Sequence, residues 1–217
     1  MIERENRFSK WLPTALVIVV LAILVIVFNA MDQNVADKLM GDSGLIQDLT
    51  AGFLLAGAMV CLQRATRKIS PRLKWAEASF ILVIYALREM DFHRRFTIEH
   101  ISNKKFYIGP DPMLAKVIAV PIVLLTVVAL LHFTLSNLPH FREQLKRKKV
   151  WAIQMTIWAI LLFGSQIMDK AWGGDDFLEH IIEENMEFAA AIIVFLIPLE
   201  ISHQHDITEV PQLPSND

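Results

Sequence analysis

The chain has only one cysteine, Cys61, among its 217 residues. A disulfide within the chain is therefore excluded, and so is a metal site built from several cysteine thiolates of one subunit. We expect Cys61 to be a small buried residue in a helix. The sequence also lacks an internal repeat, a low-complexity tract and a linker long enough to separate two domains, which predicts one structural unit.

The chain also lacks a strong excess of charge of either sign. It has 21 lysines and arginines against 23 aspartates and glutamates, which gives a formal net charge of −2. Because nucleic-acid binding needs a basic surface, we predict no nucleic-acid partner. Hydrophobic residues make up 54 % of the chain, which is high for a soluble domain and indicates a membrane protein.

Six apolar segments account for this composition. Each is close to the length of about 20 residues that a helix needs to cross a bilayer. They are residues 12–30, 45–62, 75–90, 113–135, 150–168 and 181–201. The predicted fold is therefore an all-α integral membrane bundle of six transmembrane helices within residues 1–203. A disordered cytoplasmic tail is predicted at residues 204–217.

Lysine and arginine are concentrated in three segments that fall on one side of a six-span bundle. These residues are Arg4, Arg7 and Lys10, then Arg64, Arg67, Lys68, Arg72 and Lys74, and then Arg142, Lys146, Arg147, Lys148 and Lys149. Because basic loops are retained in the cytoplasm, we expect the N-terminus and the C-terminus to be cytoplasmic. The predicted location is the bacterial inner (plasma) membrane.

A stripe of ionisable residues leads into the last apolar segment. Its members are Asp176, His180, Glu183 and Glu187, at the spacing of one helical face. Glu184 widens this face, because it also lies one helical turn after His180. A charged group at the centre of a bilayer costs roughly 2.5–3.5 kcal/mol on insertion scales, so such a stripe needs partners or a function.

A second polar group lies at the end of the third apolar segment. Glu89 and His93 are four residues apart and share a helical face, whereas Asp91 lies at helical spacing from Arg88 and Arg95. In one interpretation this is a charged helix end in the lipid headgroups, with the arginines snorkelling outward. In the other, Glu89, Asp91 and His93 turn inward and meet the stripe.

Two further aspartates lie on the same predicted side of the membrane. Asp48 lies about one turn inside the second apolar segment, and Asp169 ends the fifth. An intramembrane aspartate is a functional-site hypothesis by default, but Asp48 also fits a helix N-terminus favoured by the macrodipole. With these residues, the six-span topology predicts a mostly acidic cavity that opens to the outer side.

Carboxylates and imidazoles together are ligands of Zn, Mn and Fe. The predicted ligands of such a divalent metal are His93, His180, Glu187 and Asp91. The predicted catalytic carboxylates are Glu183, Glu184 and Glu89, one of which would act as general base on metal-bound water. The spacing differs from the His-Glu-x-x-His zinc signature, so this prediction depends on residue types and shared depth. Without such a metal, no cofactor is expected.

Three functional hypotheses follow from this arrangement. In the first, the protein is a metal-dependent hydrolase or transferase acting on a lipid-like substrate, whose phosphate or anionic headgroup is held by basic residues. These residues are Arg94, Arg95, Lys104 and Lys105; Arg88 is instead a candidate ion-pair partner of the carboxylates of the stripe. In the second, the protein is a non-catalytic membrane partner or assembly protein, which binds another protein or a second copy of itself. In the third, it is a proton or cation transporter or channel. Membrane lipids are expected partners in each case.

Overall fold

The computed structural model describes residues 2–32, 35, 39, 44–67, 72–90, 92, 104–110, 112–171 and 177–208. Within these ranges the backbone alone is described at residues 2–13, 104–105, 168–171, 177–180 and 202–208. The described part of the chain is helical and has no strand, which confirms the all-α prediction.

The helices follow the predicted apolar segments. They are α1 (Ile2–Ala30), α2 (Leu45–Thr66), α3 (Arg72–Glu89), α4 (Lys104–Ile108), α5 (Met113–Lys146), α6 (Val150–Ala171) and α7 (Phe177–Thr208). Each predicted segment lies inside one of the long helices, except that the third runs one residue past the end of α3. Helix α7 continues into the segment predicted as a tail, and residues 209–217 lie outside the described residues.

Three helices of the described part are long and apolar enough to cross a membrane. They are Leu45–Thr66, Met113–Lys146 and Val150–Ile167. The apolar part of α1, Thr14–Ala30, is shorter. Helices α3 and α7 carry charged residues among their apolar side chains, which lowers their hydropathy.

Helices α2 and α3 pack against each other in opposite directions. In the antiparallel pair α2–α3, the Ser79 hydroxyl donates to the Ala58 carbonyl at 2.9 Å. Nearer the link between these helices, the Arg64 guanidinium lies 4.9 Å from the centre of the Trp75 ring. Helix α7 contacts α1, α2 and α6, so it occupies the centre of the bundle.

The main hydrophobic core lies between α2, α3 and α7. Leu54 and Cys61 contribute from α2, Ala86 from α3, and Ala191 and Ile193 from α7. Cys61 is buried in its helix as expected. Small residues such as the alanines of α7 allow helix backbones to approach closely, which is the main source of packing energy between helices in lipid.

A buried polar contact joins α1 to α6. The Gln154 amide donates to the Thr14 hydroxyl at 2.9 Å, and both side chains are buried. Hydrogen bonds between membrane helices contribute about 0.6 kcal/mol on average and at most about 1.7. We therefore expect a coupling free energy of about this size between Thr14→Val and Gln154→Leu, measured by denaturant unfolding of the two single variants and the double variant.

Thr126 is the matched control for this cycle, because its hydroxyl bonds a carbonyl of its own helix, that of Ile122, at 2.7 Å. Thr126→Val combined with Gln154→Leu should show no coupling. Equal coupling for both threonines would contradict a specific contact between α1 and α6.

Helix α5 lies at the edge of the bundle and packs on α3 and on the start of α6. The His132 ring nitrogen Nδ1 is 2.6 Å from the Glu77 carboxylate on α3, and the His140 ring stacks on Trp151 of α6. Most apolar side chains of α5 are exposed along its length. This surface is suited to contact with lipid chains.

Candidate functional site

The best-defined polar group at the end of the bundle is the Glu187 carboxylate on α7. Its side chain is only 6 % exposed, and its Oε1 atom accepts from the Ser165 hydroxyl at 3.3 Å and from the Gln166 amide at 3.5 Å. Ser165 is itself fully buried. Helix α6 therefore supplies the Gln166 amide as a donor to a carboxylate on α7, whereas the single Ser165 proton is shared with the nearer Leu162 carbonyl at 3.0 Å.

Gly164 allows α6 and α7 to approach closely at this point. A Cβ atom on Gly164 would collide with the terminal methyl group of Met186, which comes directly before Glu187. Because glycine has no side chain, the next two residues of α6, Ser165 and Gln166, lie within reach of the carboxylate on α7.

The last turn of α3 brings a second buried carboxylate to the same end. Glu89 is 6 % exposed, and its Oε1 atom is 3.9 Å from Nη1 of Arg88. The Arg88 guanidinium lies over the Tyr85 ring, 5.6 Å from its centre. Tyr85 and Glu89 are four residues apart and so share a helical face.

Electrostatic interactions connect these two groups, although α3 and α7 make few direct contacts. Glu187 and Glu89 both act electrostatically on the Tyr85 hydroxyl, and Glu183 and Glu187 both act on Arg88. We call this set of residues the three-helix cluster: Tyr85, Arg88 and Glu89 of α3, Ser165 and Gln166 of α6, and Glu183 and Glu187 of α7. As defined, it contains three carboxylates and one guanidinium.

The structure brings four of the residues predicted from the sequence into the cluster, namely Glu89, Glu183, Glu187 and Arg88. Glu184 is half-buried beside Glu183 on α7. Asp48 is exposed in the first turn of α2, and no contact among the described residues joins it to the cluster.

The remaining predicted residues cannot be placed in the cluster. Asp91, His93, Arg94 and Arg95 lie outside the described residues. Asp169 and His180 lie on α6 and α7, and their side chains are outside the described set. Among the described residues, no group of three or more histidine, cysteine, aspartate or glutamate side chains is arranged to hold a metal ion. The predicted metal ligands thus remain a prediction.

Three residues of the cluster were not among the predicted site residues: Tyr85, Ser165 and Gln166. A signal for each is present in the sequence. Tyr85 lies one helical turn before Glu89, and Ser165 and Gln166 are polar residues near the end of an apolar segment, at the same predicted depth as the stripe. Polar residues at one depth in several spans therefore indicate the cluster better than charged residues alone.

No known protein family, curated protein or solved structure matches this chain in comparisons with its sequence and fold. The functional argument is therefore based on the residues and the geometry of the cluster.

Proposed function

We propose that this protein is a six-span integral protein of the bacterial inner membrane, with both termini in the cytoplasm. Three helices with the length and composition of membrane spans support this proposal, as does the antiparallel packing of α2 and α3. In this orientation the basic segments between α2 and α3 and between α5 and α6 face the cytoplasm. The three-helix cluster then lies at the outer side of the membrane.

The cluster is proposed to bind a divalent cation, Zn, Mn or Fe, that assists hydrolysis or group transfer on a lipid-like substrate. The observation that carries this proposal is that two buried carboxylates from different helices, Glu89 and Glu187, each 6 % exposed, both lie within electrostatic range of the Tyr85 hydroxyl. Carboxylates held away from water are stabilised by a cation that binds them directly.

In this proposal Glu187 and Glu89 are ligands from α7 and α3, and the sequence adds His180, His93 and Asp91 as further ligands. Ser165 and Gln166 orient Glu187 by donating hydrogen bonds to it. A carboxylate that does not bind the cation, such as Glu183 or Glu184, would act as general base toward water. The bound cation would supply the electrophilic assistance for the reaction.

A second candidate function is that of a non-catalytic assembly protein. The contacts within the cluster favour it, because Ser165 and Gln166 of α6 bond to Glu187 of α7, and Arg88 pairs with Glu89. Such a network holds helices together without any ligand. The two candidates differ in whether the carboxylates can be neutralised without loss of folding.

Elemental analysis of the detergent-purified protein tests the cation. We expect near-stoichiometric Zn, Mn or Fe in the wild type, and a loss of at least about tenfold in Glu187→Gln and in Glu89→Gln, because the amide removes the ligand charge and keeps the shape. Glu143→Gln is the matched control, since Glu143 is exposed on α5 and pairs with Arg147. It should leave the metal content unchanged.

A folded wild type that binds none of these metals when they are supplied would reject the cation and favour the assembly protein. Equal metal content in the wild type and all three variants would show that the ion binds outside the cluster. If the metal depends on the cluster, hydrolysis or transfer is then measured on outer-leaflet lipids, with Glu187→Gln as the inactive reference.

A further inference from the structure

Arg88 differs from the carboxylates around it in its exposure. Its side chain is 56 % exposed, although its neighbour and ion-pair partner Glu89 is 6 % exposed. The guanidinium therefore forms the border between the buried part of the three-helix cluster and its surroundings.

Two neighbouring side chains contact the Arg88 guanidinium and leave one of its edges exposed. The guanidinium lies over the Tyr85 ring, 5.6 Å from its centre, and its Nη1 atom is 3.9 Å from the Glu89 carboxylate. A guanidinium carries five N–H donors in a rigid plane, so these contacts leave N–H groups on the exposed edge. The orientation of that edge is set before any ligand arrives, which lowers the entropy cost of binding.

Two exposed apolar residues follow Arg88 closely in the chain. Met90 and Phe92, the described residues that follow α3, are 41 % and 38 % exposed. Arg88 is in the last turn of α3, which the proposed topology places at the level of the lipid headgroups. A basic group beside exposed apolar side chains at this level matches a ligand with an anionic head and apolar chains.

We propose that Arg88 binds the phosphate group of an anionic lipid, so that the substrate class of the cluster is a phosphate-bearing lipid. The planar fork of arginine matches two phosphate oxygens at once, which a lysine cannot reproduce. Glu89, Glu183 and Glu187 repel an anion on the buried side, so the phosphate binds the exposed edge. The role as substrate rests on the proposed function, whereas the binding itself does not.

Lipid retention in nanodiscs tests this inference. The full chain is placed in phosphatidylcholine nanodiscs with equimolar dioleoyl-phosphatidic acid and dioleoylglycerol, extracted into detergent, and the retained lipids are quantified by mass spectrometry. We expect the wild type to retain phosphatidic acid over dioleoylglycerol. We expect Arg88→Lys to lower this retention about tenfold, because it loses one charge-assisted hydrogen bond of the fork.

Arg88→Lys keeps the positive charge beside Glu89 and Tyr85, so it should fold, and unchanged thermal unfolding would show that it does. Arg142→Lys is the matched control, because Arg142 is an exposed arginine on α5 near the opposite end of the bundle. It should retain phosphatidic acid as the wild type does. Inorganic phosphate at millimolar concentration should not displace the lipid, since it lacks the apolar chains.

Several results would overturn the inference. In the first two, the wild type retains both lipids equally, or Arg88→Lys retains as much phosphatidic acid as the wild type. In the other two, Arg142→Lys loses as much phosphatidic acid as Arg88→Lys, or inorganic phosphate displaces the lipid. The metal-dependent function proposed above is tested separately from the lipid site, by the metal content of the protein. If the wild type holds no metal but retains phosphatidic acid through Arg88, the lipid site stands without the cation. If metal binds and Arg88→Lys retains the lipid normally, the cation stands without the lipid site.

Discussion

Replacing Leu54 by alanine is expected to lower the free energy of unfolding by about 2–5 kcal/mol. Leu54 is 0 % exposed in the core between α2, α3 and α7, where its neighbours include Ala58, Leu82 and Val194. Removal of its outer carbons leaves a cavity that these helices cannot close without shifting their backbones. The main core positions α3 relative to α7, so this change also displaces the two halves of the three-helix cluster.

The effect is measured by reversible unfolding in mixed micelles, with Leu62→Ala as the matched control. Leu62 lies on the same helix and is 55 % exposed, so the identical substitution creates no internal cavity. We expect the change in the control to be within about 0.5 kcal/mol of the wild type. Equal losses in both variants would contradict a core between α2, α3 and α7 and would place both leucines in similar surroundings.

Neutralising Glu187 is expected to stabilise the protein when the divalent cation is absent. The cluster holds Glu89, Glu183 and Glu187 beside the single guanidinium of Arg88. Glu187→Gln removes one of these negative charges and keeps an oxygen that accepts from Ser165. Relief of repulsion between like charges by a single substitution commonly stabilises a fold by about 0.5–2 kcal/mol, and functional sites are commonly built at the expense of stability.

The measurement is thermal unfolding in detergent with a chelator present, with Glu143→Gln as the reference for an exposed carboxylate. A higher unfolding temperature for Glu187→Gln, lost when metal is added to both proteins, supports the cation site, because the metal stabilises only the wild type. The assembly protein predicts the opposite sign. Breaking a buried ion-pair network by removing one partner costs about 3–5 kcal/mol, with or without the chelator.

The positions of the helices were determined by the sequence itself. An apolar run of about 20 residues forms a helix in lipid, because every backbone hydrogen bond must be satisfied within the segment. The predicted starts at residues 45, 113 and 150 coincide with the starts of α2, α5 and α6. The sequence also identified Glu89, Glu183 and Glu187 as candidate residues, because charge in an apolar segment is visible without a structure.

Only the tertiary structure decided which polar residues meet. The sequence indicated both Asp48 and Glu89 as candidates on one predicted side of the membrane, but Asp48 is exposed on α2 whereas Glu89 is buried at the end of α3. Tyr85 and Ser165 were also not predicted from the sequence. Their contribution depends on the rotation of each helix about its axis and on the close approach of α6 and α7 at Gly164. Rotation is poorly encoded in such a chain, because lipid and protein core are equally apolar and hydrophobic periodicity does not distinguish the face that packs from the face that meets lipid.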